Sequence, residues 1–130
     1  MGLRGRGAVT AQHILHAELR PVIVDEKASR AEKVIQFIEN LRLTADPWAG
    51  EPFIVREWQR EIIRAWYRTD DDGQLLVKTG LLSVARKNGK SGLIAGLATC
   101  HLLGPEAVPR GEIVVGATDS DQSGIVFREL

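Results

Sequence analysis

Residues 92–103, GLIAGLATCHLL, place apolar side chains on nearly every side of one predicted helix. A helix of this kind cannot lie on a surface; it has to be covered on more than one face. What flanks it narrows the fold further. Before it, residues 75–84 form a largely apolar run broken chiefly by Lys78 and Thr79, which reads as a buried strand. After it, Gly104-Pro105 stops the helix, and EIVVGA at 112–117 reads as a second short buried strand. Strand, loop, apolar helix, strand is a βαβ unit, which implies parallel strands joined by a right-handed crossover. The expected fold class is therefore α/β with a parallel sheet.

The turn from strand to helix is SVARKNGKSG, residues 83–92. Its end matches the G-x-x-x-x-G-K-[ST] phosphate-binding pattern at Gly89, Lys90 and Ser91, with Val84 where the first glycine belongs. A short Gly-Lys-Ser match recurs by chance in many chains. Placement between a buried strand and the start of a helix is the context that separates a phosphate loop from coincidence. A polyphosphate packs several negative charges into a small volume, and converging backbone amides at a helix N-terminus hold it well. Gly89 allows the backbone to approach closely. Lys90 supplies a point charge for the β- and γ-phosphates, and Ser91 a hydroxyl for Mg2+. The missing glycine only eases the tight approach to the loop. Arg86, Lys87 and Lys90 bring three cations into five positions. Arg86 is a candidate for stabilising transition-state charge in cis, the alternative being that it steadies the loop.

Upstream, residues 1–28 read as a tail with a short apolar patch at Val22–Val24. Ser29 and Glu32 form a predicted capping box ahead of Val34, Ile35, Phe37, Ile38 and Leu41, so a helix is expected over 30–43. A loop at 49–52, an extended piece at 53–55 and a second helix over 57–67 follow, with Trp58, Ile62, Ile63 and Trp66 on one face. Asp70-Asp71-Asp72-Gly73 reads as a solvated turn, because calcium loops alternate their acids with other residues. Thr118 or Asp119 is placed to cap a last helix running to Leu130.

VARKNGKS resembles the variant Walker A loop of the large subunit of tailed-phage terminases, in which the first glycine is often absent and an arginine stands early. Trp58-Gln59, within PFIVREWQREII, resembles that family's adenine-recognition motif. MGLRGRGA, RAEKVIQFIENL and GATDSDQSGIVF resemble three further stretches of it, in the same order. The resemblance implies an incomplete P-loop NTPase domain with a parallel sheet, preceded by N-terminal helices: residues 29–130 would be the first part of an ATPase domain. It implies ATP and Mg2+ as ligands, held by Gln59, Arg86, Lys87, Asn88, Gly89, Lys90 and Ser91. Gln59 would read adenine, Lys90 and Arg86 would act on the phosphates, and Ser91 would help bind the metal. Glutamine suits the base-reading task because its amide both donates and accepts. Implied partners are double-stranded DNA, the portal protein and the small terminase subunit, and the implied location is the host cytoplasm.

The same resemblance marks departures. A Walker B strand ending in Asp-Glu is expected after the loop, yet residues 113–119 come too soon, carry Gly116 and Thr118 where apolar residues belong, and lack the glutamate. The acids of a nuclease domain are not here either. Binding of ATP without turnover by this chain alone is the expectation, and strands with uncovered faces and edges predict poor stability. Two other readings stay open: a different P-loop translocase of helicase type, and a catalytically dead nucleotide- or partner-binding module.

Bulk properties close off several classes. Lys+Arg and Asp+Glu both number 17, so no overall basic field draws in nucleic acid. One cysteine, Cys100, excludes an internal disulfide and a cysteine zinc site and fits a reducing compartment. No apolar run is long enough to cross a bilayer. The Met-Gly start lacks the Ser or Thr of a myristoylation site, having Arg6 there. His13 and His16 have no third ligand nearby, and His101 with Cys100 reads as packing.

Overall fold

The computed structural model describes residues 23–44 and 47–116. The first helix, α1, runs Arg30–Asn40. Ser29 is extended (φ −61°, ψ 159°) and its Oγ accepts the Glu32 amide at 3.3 Å. Only this half of the expected capping box forms, because the Glu32 carboxylate turns outward to Arg64 Nε at 2.8 Å. Ala31, Val34, Ile35, Phe37 and Ile38 are buried, the helical spacing that sequence periodicity predicted.

α1 ends at Asn40, short of residue 43. Leu41 is already extended (φ −71°, ψ 160°). The backbone of 41–43 pairs instead with the returning chain: Phe53 N donates to Leu41 O at 3.0 Å, and Leu43 N to Glu51 O at 2.8 Å. Gly50, at φ 89°, takes the left-handed conformation that closes this reversal. Pairing with 50–53 removes the backbone groups a longer helix would have used. The apolar patch at the end of the N-terminal segment also has a place. Val24 packs against the core, and Asp25 N donates to Gln36 Oε1 at 2.8 Å.

α2 runs Glu57–Trp66 antiparallel to α1, tied to it by Arg60–Glu39 and Arg64–Glu32 ion pairs. Its buried line is Gln59, Ile63 and, at the C-cap, Tyr67. Trp58, Ile62 and Trp66 are half-buried beside that line. Trp58 and Trp66 pack against the core that holds Ile63, and Gln59 and Tyr67 extend the buried line beyond the face the large side chains suggest.

α3, Lys90–Leu103, is the apolar helix. Leu93, Ala95, Gly96, Leu97, Ala98 and Cys100 are buried. At Gly96 a Cβ would stand 3.1 Å from Ile38 Cγ2, so the absent side chain sets the close approach of α3 to α1. Val34, Ile35, Ile38, Ile63, Leu93 and Cys100 are fully buried where the three helices meet. Each large side chain there contributes about 1.5–3 kcal/mol of transfer free energy.

The parallel sheet is not formed among the described residues, which contain no strand and only isolated antiparallel bridges at Arg42–Pro52 and Thr69–Leu75. Residues 81–85 and 112–116 alternate exposed and half-buried positions with a period of two, as strands do. Neither finds a ladder partner among the described residues, and a strand exists only through its ladder. Leu81 is 94% exposed and Val114 82%. The Asp70 turn is as expected: Asp70 Oδ1 accepts from Asp72 N at 3.0 Å and Gln74 N at 2.8 Å. The expected last helix, His13 and His16 lie outside the described residues.

A long-range ion pair fastens the far end of α3. Arg30, the first residue of α1, makes a forked contact with Glu106, Nε to Oε1 at 2.8 Å and Nη2 to Oε2 at 2.7 Å. Its Nη1 donates to Gly73 O at 3.0 Å. Pairing with Glu106 raises the Arg30 pKa.

Candidate phosphate-binding site

The loop between Val84 and α3 is built from backbone conformations that this sequence chooses at specific points. Lys87 (φ 65°) and Gly89 (φ 74°) are left-handed, with Asn88 at negative φ between them. Alternating handedness swings successive amides toward one side and makes an anion-binding concavity. Gly89 is also the N-cap of α3, and it brings no capping side chain. The first turn of α3 therefore has no side-chain acceptor for its orphan amides, and no acid sits there to neutralise the positive end of the helix.

Two side chains brace this loop. Lys90 Nζ donates to Val84 O at 3.2 Å, spanning the loop from end to end. Asn88 Nδ2 donates to Ala85 O at 3.3 Å. Both acceptors lie on the incoming segment, so Val84, which replaces the customary glycine, serves the loop through its carbonyl. Arg86, Lys87 and Ser91 are exposed, and neither cation pairs with an acid among the described residues. Arg86, Lys87, Asn88, Gly89, Lys90 and Ser91 are thus gathered at one helix end.

Gln59 joins them from α2. It is 2% exposed, and its Oε1 accepts the Arg56 amide at 2.9 Å, capping α2. A Cβ at Gly89 would lie 3.6 Å from Gln59 Nε2. One turn further along α3, Gly92 rests on Phe53, whose Cε2 would be 3.3 Å from a Cβ there. Residues 53–59 consequently form a seat under the loop. The contribution of Phe53 was not legible in the sequence, since a lone aromatic in a short extended piece carries no spacing signal. One Asp-Glu pair that follows an apolar run does occur, at Asp25–Glu26, but it precedes the loop in the chain, and Asp25 Oδ1 accepts the Lys27 amide at 2.9 Å to form a turn.

The other end of α3 is chemically separate. A groove of about 610 Å3 is lined there by Ile94, Ala98, His101, Tyr67, Val108 and Ile113, among others. Tyr67 Oη and His101 Nε2 are 2.8 Å apart. Burial pushes the Tyr67 phenol well above its ordinary value and the Cys100 thiol up to about 11. None of the loop residues lines this groove. Among the described residues no cluster of acids, histidines or cysteines could hold a metal, and no helix is long and apolar enough to cross a membrane.

No protein-family model matches the chain. The terminase large subunit of Enterobacteria phage HK97 is 42% identical over 100 residues, which are 76% of this chain and 19% of that protein. The crystal structure of the HK97 bacteriophage large terminase is similar with a TM-score of 0.61 at 41% identity, covering 77% of this chain and 19% of that one. The chain thus spans about a fifth of the length of the relatives it matches.

Proposed function

The chain corresponds over about three quarters of its length to part of a phage terminase large subunit, and from that correspondence we propose that it carries the phosphate-gripping part of a DNA-packaging ATPase. The observation that supports this most is the uncapped N-terminus of α3 behind a left-handed Gly89, with Lys90 Nζ folded over the loop onto Val84 O. The residues present fit a magnesium nucleotide: orphan amides and Lys90 for the phosphates, and the exposed Ser91 hydroxyl for Mg2+. Bound Mg2+ would neutralise charge on the phosphate oxygens. Lys90 exchanges a neutral carbonyl for a phosphate oxygen, a gain in charge-assisted hydrogen bonding. Arg86, exposed beside it, is the residue proposed to answer charge developing on the transferred phosphoryl group. Lys87 and Asn88 shape the loop, Lys87 by its handedness and Asn88 by its bond to Ala85 O.

Double-stranded DNA, the portal protein and the small subunit are the partners proposed for the motor to which this segment belongs, acting in the host cytoplasm. The proposed behaviour of the loop is saturable binding of the magnesium nucleotide. Calorimetric titration of Mg-ATP into the folded chain tests this. A saturable heat is expected, and Lys90→Ala should weaken it by about tenfold or more, the loss of one charged hydrogen bond. No heat from a chain with intact helical circular dichroism would refute the nucleotide site.

A further inference from the structure

We propose that Arg30 is a two-armed clasp that makes two separate loops open as one unit, the hairpin at 68–76 and the segment at 104–111. It acts at the far end of α3 and is independent of the nucleotide reading. Each loop is closed on itself by local bonds. In the hairpin, Asp70 N donates to Gln74 O at 2.9 Å and Leu76 N to Arg68 O at 3.0 Å. In the later segment, Ala107 N donates to Gly104 O at 3.0 Å and Gly111 N to Val108 O at 2.9 Å. Arg30 joins the two. Its Nη1 donates to Gly73 O at the hairpin tip at 3.0 Å, while Nε and Nη2 fork onto Glu106 at 2.8 and 2.7 Å. Among the described residues, no other hydrogen bond comes to either loop from a distant part of the chain.

The coupling follows from the chemistry of the two side chains. Glu106 has a side chain only 4% exposed, and both of its oxygens are taken up by Arg30. A buried carboxylate that loses its cation is driven toward water. Moving Glu106 outward carries 104–111 with it, because that segment is otherwise bonded only to itself and to the end of α3. The guanidinium is a rigid plane, so its three donor nitrogens turn together. An Arg30 that swings off Glu106 therefore aims Nη1 away from Gly73 O, and the hairpin loses its long-range bond. The reverse also holds, since a shift of Gly73 tilts the plane off the carboxylate. Leu75 of the hairpin and Val108 and Gly111 of the later segment line the same groove as Arg30 and Glu106, so joint opening reshapes that groove.

Amide hydrogen exchange on the full chain tests the clasp. Arg30→Ala should hasten exchange at Asp70 and Leu76 in the hairpin and at Ala107 and Gly111 beyond α3. All four should quicken by about tenfold or more, the effect of one lost charged hydrogen-bonded contact. Variants confined to one loop read the coupling itself. Asp70→Ala removes a side chain that bonds only Asp72 N and Gln74 N, both within the hairpin. It should nevertheless hasten Ala107 and Gly111. Glu106→Gln keeps the size but removes the charge, and should hasten Asp70 and Leu76. About fivefold or more is expected in each direction, because coupling between two sites is reciprocal. Ile63→Val lowers global stability from the core and should leave all four amides unchanged, since they exchange through local opening. If each single-loop variant quickens only its own loop, Arg30 makes two independent contacts and the proposal is overturned. Equal acceleration by Ile63→Val would overturn it as well, by reducing the opening to global unfolding.

Discussion

Substituting the two left-handed residues of the loop should move stability in opposite directions. Gly89 sits at φ 74°, and a Cβ there would meet only Gln59 Nε2, at the ordinary contact distance of 3.6 Å. Space is therefore not the obstacle in Gly89→Ala; the dihedral is. Left-handed strain costs about 1–2 kcal/mol for a residue with a Cβ. Reduced freedom of the unfolded chain offsets about 0.4–1 kcal/mol of that, leaving a net loss of about 1 kcal/mol. Lys87 is the mirror case. It bears the same strain at φ 65° with a full side chain, so Lys87→Gly should gain about 1 kcal/mol. Lys87→Ala keeps the strain while removing the charge, and should sit near the unmutated chain. Urea unfolding followed by circular dichroism reads all three. In thermal melts each kcal/mol corresponds to about 3–5 °C for a chain of this size. A neutral Gly89→Ala, or shifts of one sign in both glycine exchanges, would mean that the two positions are not both left-handed, and the amide concavity would go with them.

Two further outcomes follow from the packing of α3. Arg30→Ala strands the Glu106 carboxylate, whose side chain is 4% exposed, and should cost about 1–3 kcal/mol, below the value for a fully buried pair because Arg30 is itself 37% exposed; Arg64→Ala, at an exposed pair, should be indistinguishable from the unmutated chain in the same urea titration. Cys100 and Tyr67 both hold their protons longer in the folded chain than their reference values of 9.0 and 10.0. The stability that Cys100 adds is full below about pH 9 and is lost as pH rises through about 11, while that of Tyr67 is full below about pH 10 and is lost at still higher pH, since in each case the unfolded chain releases its proton first. Urea midpoints should therefore fall across that window, less steeply in Cys100→Ala, and a thiol reagent at about pH 8 should label Cys100 only as fast as the chain unfolds.

All three helices and the loop that leads into α3 could be placed from local pattern, for local reasons. Apolar residues three and four apart mark one face of α1, Ser29 starts it, and Gly104-Pro105 ends α3. Gly-Lys-Ser at a helix start specifies a loop whose chemistry is carried by backbone and adjacent side chains, so short-range sequence suffices. The end of α1 was misjudged because Leu41 and Leu43 continue the apolar period but give their backbone to residues 50–53. On α2 the pattern found Ile63 and the tryptophans that pack against the core, but it missed the buried Gln59, because a glutamine counts as polar on any hydrophobicity scale.

The strands show the limit most plainly. The apolar runs at 75–84 and 112–117 announce strands, but a ladder needs a second backbone, and neither 81–85 nor 112–116 is paired in one among the described residues. Sequence by itself determined the starts of α1 and α2, and that of α3 to within two residues, Lys90 against an expected 92. Tertiary structure alone decided that Gln59 is buried with its amide near Gly89, that Phe53 lies beside Gly92, and that Arg30 finds Glu106 across 76 residues. Periodicity reports the interactions of a residue with neighbours one turn away. Contacts between elements depend on the packing of whole faces, which no single stretch encodes.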